Sequence, residues 1–369
     1  MKRKPRCLVA MSGGVDSSVA AYLMKQRGYD VIAVHLKFWV DEIQDESKKF
    51  QYMDGAENKC CSIEGAADIR AVARQLDIPF YVLDCRDYFK DTIVNYFFEG
   101  FKEGETPNPC IECNKMVKFG YMYQKMKEFD ADFVATGHYA RVRQIDNQFQ
   151  MLRGKDHLKD QTYFLYNVNQ EILSHTFFPI GEFTKPEVRE IATSFGLRIA
   201  NKHDSQEICF VNGQDYRTFL QKYISQSFTP GSIVTTSGEE IGKHTGLPGY
   251  TIGQRKGIQT KSIVPLYVLK KDVEKNQLVV GSIDECAVKS FRIVQSSFVQ
   301  DFTSLLDTNE LTVQIRYQGK SLEVEKIEEA GSEFKITLTK PEIGVTAGQS
   351  AVFYRDEEVL GGGIIKNLL

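Results

Sequence analysis

Seven residues near the start, Ser12-Gly13-Gly14-Val15-Asp16-Ser17-Ser18, constrain the fold more than any other stretch, because they follow the apolar run 7–11 without a break and open a helical pattern. Placed there, they read as strand, tight loop and helix. Two glycines let the backbone turn sharply and approach a ligand closely, and the amides exposed at the start of the next helix, backed by its dipole, attract an anion. Ser12, Ser17 and Ser18 add hydroxyl donors. The loop has neither the lysine of G-x-x-x-x-G-K-[ST] nor the spacing of G-x-G-x-x-G, so Walker and Rossmann sites are both unsupported. Another class of phosphate-binding loop is required.

The pattern around the loop predicts the architecture. The first two hundred residues alternate strand-like runs, at 31–36, 80–83 and 133–136 after the first, with helical patterns at 66–76 and 88–98. Such alternation predicts an α/β fold with a largely parallel sheet covered by helices. Thr184-Lys185-Pro186-Glu187 is a capping box with proline in the first turn, starting a helix that runs to Phe195 and is capped by Gly196. The polar, acidic stretch 41–58 has no period and reads as a mobile surface loop. From about 211 a short helical pattern gives way to Gly- and Thr-rich sequence, which predicts a small second domain. After about 290 the alternation is β-like: Leu311, Val313, Ile315 and Tyr317 share one face, with Thr312, Gln314 and Arg316 on the other, and Phe334, Ile336 and Leu338 repeat the pattern. These strands, ending near the glycines 361–363, predict a small β-barrel. The expected domains are 1–210, 211–288 and 289–369.

A chain of 369 residues, 42% hydrophobic, can bury full cores in two or three domains. It contains no run of about 18 apolar residues, and its start leads into a short strand without a signal-like segment, so a cytoplasmic location is expected. Eight cysteines in this length do not form a dense disulfide framework. The net charge of −3 carries no global signature of nucleic-acid binding, so any such contact must use local basic groups.

Thr106-Pro107-Asn108-Pro109-Cys110-Ile111-Glu112-Cys113-Asn114 sets a C-x-x-C pair behind two prolines, which would fix a loop presenting both sulfurs. Alone, the pair fits half a zinc site, a redox couple or iron-sulfur ligands, and no second C-x-x-C completes a tetrathiolate site. Cys209, isolated in Asp204-Ser205-Gln206-Glu207-Ile208-Cys209-Phe210, is a candidate nucleophile or persulfide carrier. Cys7, Cys85 and Cys286 lie in apolar runs and read as core, while the adjacent Cys60 and Cys61 read as structural or loop residues. His138 falls at a strand end, where α/β sheets place ligands. Gln254-Arg255-Lys256 reads equally as a phosphate contact or a solvated turn.

SGGVDSS resembles the PP-loop of the ATP pyrophosphatases, a domain of the adenine nucleotide alpha hydrolase-like kind. With it, in order, stand TPNPC-x-x-CN-x-x-VKFG, ATGHYAR, KDQTYFLY, DSQEICF and GYTIGQRKG. As a set these blocks resemble the tRNA-specific 2-thiouridylases, over the first 257 residues, and the β-rich tail fits that family's C-terminal barrel. The resemblance implies that ATP adenylates the C2 oxygen of a wobble uridine and that sulfur arrives as a persulfide on Cys209. Cys113 is then the nucleophile, releasing sulfide from that persulfide or resolving it by a disulfide. It implies further that Ala10, Met11, Ser12, Gly13, Gly14, Val15, Asp16, Ser17, Leu36 and Gly137 bind ATP, with Asp16 and Mg²⁺ organising the phosphates. Asn108, Pro109 and Cys110 would meet the target base, with His138, Lys159, Asp160 and Gln161 nearby, and Arg316, Tyr317 and Gln349 would touch the anticodon arm. Some members carry Asp where this chain has Cys110, so Cys110, Cys113 and Cys209 could also ligate an iron-sulfur cluster, with the persulfide route preferred. Implied partners are tRNA and a persulfide donor, either a cysteine desulfurase or a relay protein, and no membrane. Two other functions compete: a PP-loop enzyme amidating or ligating a small molecule, which needs neither Cys113 nor Cys209, and a nucleotide-binding thiol redox sensor.

Overall fold

The computed structural model describes residues 3–41, 63–197, 199–200, 208–211, 213–260, 262–298 and 310–368. They form two compact units, one of Met1–Val94, Cys110–Gly213 and Glu357–Val359, the other of Asn95–Pro109, Gln214–Asp356 and Leu360–Leu369.

The first unit contains β1 (Arg6–Ala10), α1 (Val15–Gln26), β2 (Asp30–Lys37), α2 (Ile63–Gln75), β3 (Phe80–Asp84), α3 (Pro109–Glu112), α4 (Met122–Glu128), β4 (Phe133–Thr136), the hairpin β5 (Ala140–Ile145) and β6 (Gln148–Arg153), β7 (Thr176–Phe177) and α5 (Lys185–Ser194). Strands β1, β2, β3, β4 and β7 make one parallel sheet in the order β3-β2-β1-β4-β7. Cys7, Leu8 and Val9 of the central strand are fully buried, as expected of a strand covered on both faces. Helix α1 lays Val15, Val19, Ala20, Ala21 and Met24 into the same core. The chain builds outward from β1 through β2 to β3, then returns to the other side of β1 with β4. That reversal places a crevice at the carboxyl ends of β1 and β4, where open α/β sheets bind ligands. The predicted capping box is present: Thr184 caps α5 and Glu187 reaches back to it.

The second unit holds α6 (Tyr216–Tyr223), β8 (Gly231–Thr235), β9 (Glu240–His244), β10 (Tyr267–Asp272) and β11 (Gln277–Gly281), whose four strands form a sheet ordered β10-β11-β8-β9 around Ile233, Leu247, Tyr250, Val268, Leu278 and Val280. Then come β12 (Ala287–Phe298), β13 (Leu311–Gln314), β14 (Leu322–Ala330), β15 (Glu333–Ile343), β16 (Ser350–Arg355) and β17 (Glu358–Leu368). In the order β12-β15-β14-β13-β16-β17, closed by β12 against β17, they form a six-stranded antiparallel barrel. Its core includes Phe291, Leu311, Val313, Ile315, Phe334, Ile336 and Leu338. The architecture is therefore α/β with a parallel-sheet domain, a small central domain and a C-terminal barrel.

Several local expectations change. Glycines 361–363 do not end the strands but lie inside β17, where a Cβ on Gly361 would stand 2.3 Å from the Ser297 carbonyl oxygen of β12. Glycine lets the two strands meet there and close the barrel, and Gly361 also has φ +136°. Arg316 is not on the polar face of its strand, because β13 stops at Gln314 and the following residues turn. Gln314, expected on that polar face, is buried and donates to the Gly319 carbonyl. The pattern at 88–98 is helical but contains a π-helical segment, Lys90–Val94. Asp41, expected in a mobile surface loop, is buried, with its amide donating to the Phe210 carbonyl; positions 42–58 and both Cys60 and Cys61 lie outside the described residues. Cys7, Cys85 and Cys286 are buried. Gln254 bonds Thr251 and Lys256 within its own turn.

Candidate active site

The loop between β1 and α1 turns as its glycines predict: Gly13 has φ +76°, and Gly14 is the extended N-cap of α1, supplying no side chain to cap the helix. The first turn of a helix has amides without intrahelical partners, so this uncapped start faces the crevice with donors and a favourable dipole. The serines are used differently from one another. Ser17 Oγ accepts from the Ser12 amide at 3.2 Å and donates to the Gly14 carbonyl, bracing the loop. Ser18, fully buried, donates its hydroxyl to the Gly14 carbonyl, so it braces the helix start as well. Ser12 is exposed at the turn. Behind the loop, His35 Nδ1 lies 3.2 Å from the Met11 carbonyl, and burial lowers its pKa, so the ring is a neutral strut. Leu36 is buried at the end of β2.

From β4 the chain enters the same crevice. A Cβ on Gly137 would come within 2.5 Å of the Ser17 amide nitrogen and 2.7 Å of the Asp16 carbonyl carbon, so only glycine lets this turn lie against the start of α1. His138 is buried, with Nδ1 2.8 Å from Thr136 Oγ1. Burial first, and the Lys118 charge second, hold its pKa well below the usual imidazole value. Tyr139 sends its hydroxyl to Asp16 Oδ1 at 3.0 Å.

Three sequence-predicted RNA contacts precede the short helix at Thr162–Phe164. Asp160 is buried and its carboxylate is engaged internally, by Arg153 at 3.0 Å, the Gly154 amide and Thr162. Gln161 receives the Tyr139 amide on Oε1 and donates its own amide to the Tyr139 carbonyl. Both residues thus shape the loop that holds Tyr139, while Lys159 is half-buried with its amide on Asp156.

The cysteines occupy a helix where a loop was expected. Pro109 is the first residue of α3, a position its fixed φ and missing amide suit; Cys110 is the second, and Cys113 follows directly after the helix. Cys113 begins a π-helical segment, Cys113–Tyr121, a rare geometry that favours functional sites. Cys110 is exposed, Cys113 buried and Cys209 half-buried in a turn at 208–211. Asn114 donates to the Phe164 carbonyl, tying the neighbour of Cys113 to that short helix.

In the second unit, the segment that ends at Asn108 and Pro109 is anchored from two sides. Gln349 Nε2 donates to the Thr106 carbonyl at 2.6 Å, and Lys271 Nζ donates to the carbonyls of Glu105 and Tyr250. Lys271 is buried, and desolvation pulls its pKa down to about 7. Arg316 and Tyr317 sit in the turn after β13, with the exposed guanidinium 3.9 Å from Glu342.

Two residues were missed at the sequence level, Tyr139 and Lys185. Lys185 Nζ lies 2.8 and 2.9 Å from the two carboxylate oxygens of Asp16, with the lysine side chain only 9% exposed. The available signal was a lysine in the first turn of a helix, against the helix dipole, which calls for an acidic partner.

For an iron-sulfur cluster the donors do not fit: among the described residues no three His, Cys, Asp or Glu side chains gather to hold a metal, so Cys110, Cys113 and Cys209 do not form a ligand set. For Mg²⁺ the loop offers the carboxylate of Asp16, a hard oxygen donor that would hold the ion together with substrate phosphates. Among the described residues no helix is long and apolar enough to cross a membrane.

Three family models tile the chain. They are described as tRNA methyl transferase HUP domain at 5–213, tRNA methyl transferase PRC-barrel domain at 217–282 and aminomethyltransferase beta-barrel domain at 288–365. A tRNA-specific 2-thiouridylase MnmA of Clostridium perfringens is 42% identical over 366 residues, covering 99% of each chain. Another, from Heliobacterium modesticaldum, is 44% identical over 371 residues, covering 99% of this chain and 94% of its own. Among solved structures, NMN synthetase from Francisella tularensis shares 16% identity at a TM-score of 0.33, over 60% of this chain and 78% of its own. Identity above 40% carried from one end of the molecule to the other settles the lineage: the chain belongs to the tRNA-specific 2-thiouridylase family.

Proposed function

We propose that the protein thiolates C2 of the wobble uridine of tRNA at the expense of ATP. The observation that carries this reading is the uncapped, glycine-turned helix start at the sheet's switch point, in the same compact unit as Cys113 and Cys209. The uridine C2 oxygen attacks the α-phosphorus, the bond to the β-phosphate oxygen breaks, pyrophosphate leaves with the electron pair, and the N3 proton passes to water. An oxygen that could not leave becomes AMP, which can. The loop amides and the dipole of α1 hold phosphate oxygens, and Mg²⁺, with Asp16 as its protein donor, would neutralise phosphate charge.

Sulfur arrives as a persulfide on Cys209 from a desulfurase or relay protein. Its terminal sulfur attacks C2 and expels AMP, and Cys113 then attacks Cys209 Sγ, forming a Cys113–Cys209 disulfide and freeing the thiouridine. If Cys113 attacks first, sulfide is released to do the same work and the same disulfide remains. An external thiol restores both cysteines. Neutral His138, with Asn108, Pro109 and Cys110, would meet the flipped base, and Arg316 and Tyr317 the anticodon arm. The cytoplasm is the compartment that supplies tRNA and a reducing thiol pool.

The test incubates purified protein with ATP, Mg²⁺, a persulfide-generating donor and unmodified tRNA, then digests the RNA and measures 2-thiouridine by mass spectrometry. Product should depend on ATP and vanish with Cys113→Ser and with Cys209→Ser, each still binding ATP. Full thiolation by either variant refutes that cysteine's role. Methyl transfer, named in two of the domain descriptions, needs neither ATP nor a thiol and would appear as a methylated base instead.

A further inference from the structure

Lys185 stands where helix electrostatics disfavour it, in the first turn of α5, and the surrounding structure fixes it there. Thr184 and Glu187 cap the helix reciprocally, Pro186 presets the turn, and the Lys185 amide donates to Asp156 Oδ2 at 2.9 Å. The side chain is more than nine-tenths buried and runs to the phosphate loop, where its ammonium bonds both oxygens of Asp16. It lies 5.9 Å from the centre of the Tyr139 ring, whose hydroxyl bonds the same carboxylate. Loops after β1 and β4 and the start of α5 thus deliver an acid, a phenol and an ammonium to one point.

The ion pair answers what Lys185 needs, but not what Asp16 needs. Asp16 sits in the first turn of α1, where a carboxylate is already favoured by the helix dipole and needs no cation. The loop, by contrast, must accept a polyanion beside that carboxylate, and the nearest buried cation on a flexible stem is Lys185. Lysine carries three donors and reorients easily, as a phosphate ligand must when its resting partner is an acid.

We propose that Lys185 is a phosphate ligand of the site: its ammonium exchanges Asp16 for β- and γ-phosphate oxygens of the bound nucleoside triphosphate. There it offsets the negative charge that the departing pyrophosphate takes up as its bond to the α-phosphorus breaks, and Asp16 becomes available to the cation that accompanies the nucleotide. The assignment rests on ATP being the bound nucleotide.

Calorimetric titration of ATP and of AMP, with Mg²⁺ present, into wild type, Lys185→Met, Lys185→Arg and the double variant Asp16→Asn/Lys185→Met tests it. AMP lacks the phosphates that Lys185 would hold, so the ratio of the two affinities within one variant is insensitive to any misfolded fraction. Lys185→Met should lose ATP affinity roughly 10- to 100-fold while AMP changes by less than about threefold. Lys185→Arg, which keeps the charge, should retain most of the ATP preference, and the double variant should remain weak. Unchanged ATP binding by Lys185→Met, equal loss of ATP and AMP, or recovery in the double variant would each overturn the assignment, the last by showing that Lys185 only neutralises Asp16. Wild type that binds neither nucleotide overturns the ATP-dependent reading itself.

Discussion

Replacing Gly137 by alanine should unseat the phosphate loop without touching any group that reacts. The added methyl would meet the Ser17 nitrogen at 2.5 Å, the Asp16 carbonyl carbon at 2.7 Å and the Ser17 Cα at 2.8 Å. All three are backbone atoms of α1, so no side chain can swing aside. Carbon needs about 3.5 Å from such neighbours, so the start of α1 and the end of β4 must part by roughly 1 Å. Overpacking of this kind costs about 1–3 kcal/mol, and a rigid neighbour puts Gly137→Ala at the top of that range. In a unit of this size about 3 kcal/mol lowers the unfolding midpoint by roughly 6–12 °C. Because the displaced atoms are the phosphate-binding turn, ATP affinity should fall with it. Gly249→Ala is the control, since its Cβ would find nothing nearer than a Phe228 ring carbon at 3.7 Å. Thermal unfolding by circular dichroism and an ATP titration of both variants give the answer. A Gly137→Ala protein that melts within about 1 °C of wild type and binds ATP normally would refute the packing argument.

Three further outcomes follow from the same structure. Lys271, whose pKa falls from 10.5 to about 7 on burial, is penalised as a cation in the folded state, and that penalty is complete below pH 7, where both states are protonated. Stability should therefore rise with pH between about 7 and 10, by up to roughly 1 kcal/mol per unit, and Lys271→Met should lose that slope in urea unfolding; parallel curves would refute it. Gly361→Ala should destabilise the barrel more than the parallel-sheet unit, read by hydrogen exchange, because β12 and β17 cannot close over a methyl 2.3 Å from the Ser297 oxygen; uniform protection in both would contradict this. His138, its pKa depressed by burial, should stay neutral from pH 6 to 8 in an NMR titration, so its contribution is present above the ordinary value of 6.5 and is lost as pH falls below it. A midpoint at or above 6.5 would overturn that placement.

What could be read from the sequence was whatever rests on local pattern. The phosphate loop, the strands at 30–37, 80–84 and 133–136, the Thr184 capping box and the buried row Phe334, Ile336 and Leu338 all follow from periodicity and capping chemistry that neighbours in sequence enforce. What escaped depends on partners distant in sequence. Lys185 and Asp16 are separated by 169 positions, and Gln349 and Thr106 by 243. Glycines 361–363 look like a chain end until β12 is seen against them, and Asp41 looks like loop until Phe210 meets its amide. The prolines before Cys110 were legible as rigid elements, but Pro109 opens a helix as readily as it fixes a loop, and only the structure decides between the two.

Gln349 shows how a residue implied to touch RNA can also have structural work. Its amide donates to Thr106, whose own amide donates to Ala347, so the turn before β16 and the segment ahead of Asn108 are joined twice. Lys271 adds a third tie one residue earlier, at Glu105, whose carboxylate also pairs with Lys366 of β17. The backbone at 105–106 is thus set by groups from the central sheet and from both of the last two strand regions of the barrel. Three residues farther along, Pro109 fixes φ and begins the helix that carries Cys110, with Cys113 directly after it. A segment whose backbone is fixed in advance has less ordering left to be charged against binding. Residues of the barrel and the central sheet that lie far from Thr106 in sequence therefore set the backbone at 105–106, and Gln349 does that work beside any contact it makes with RNA.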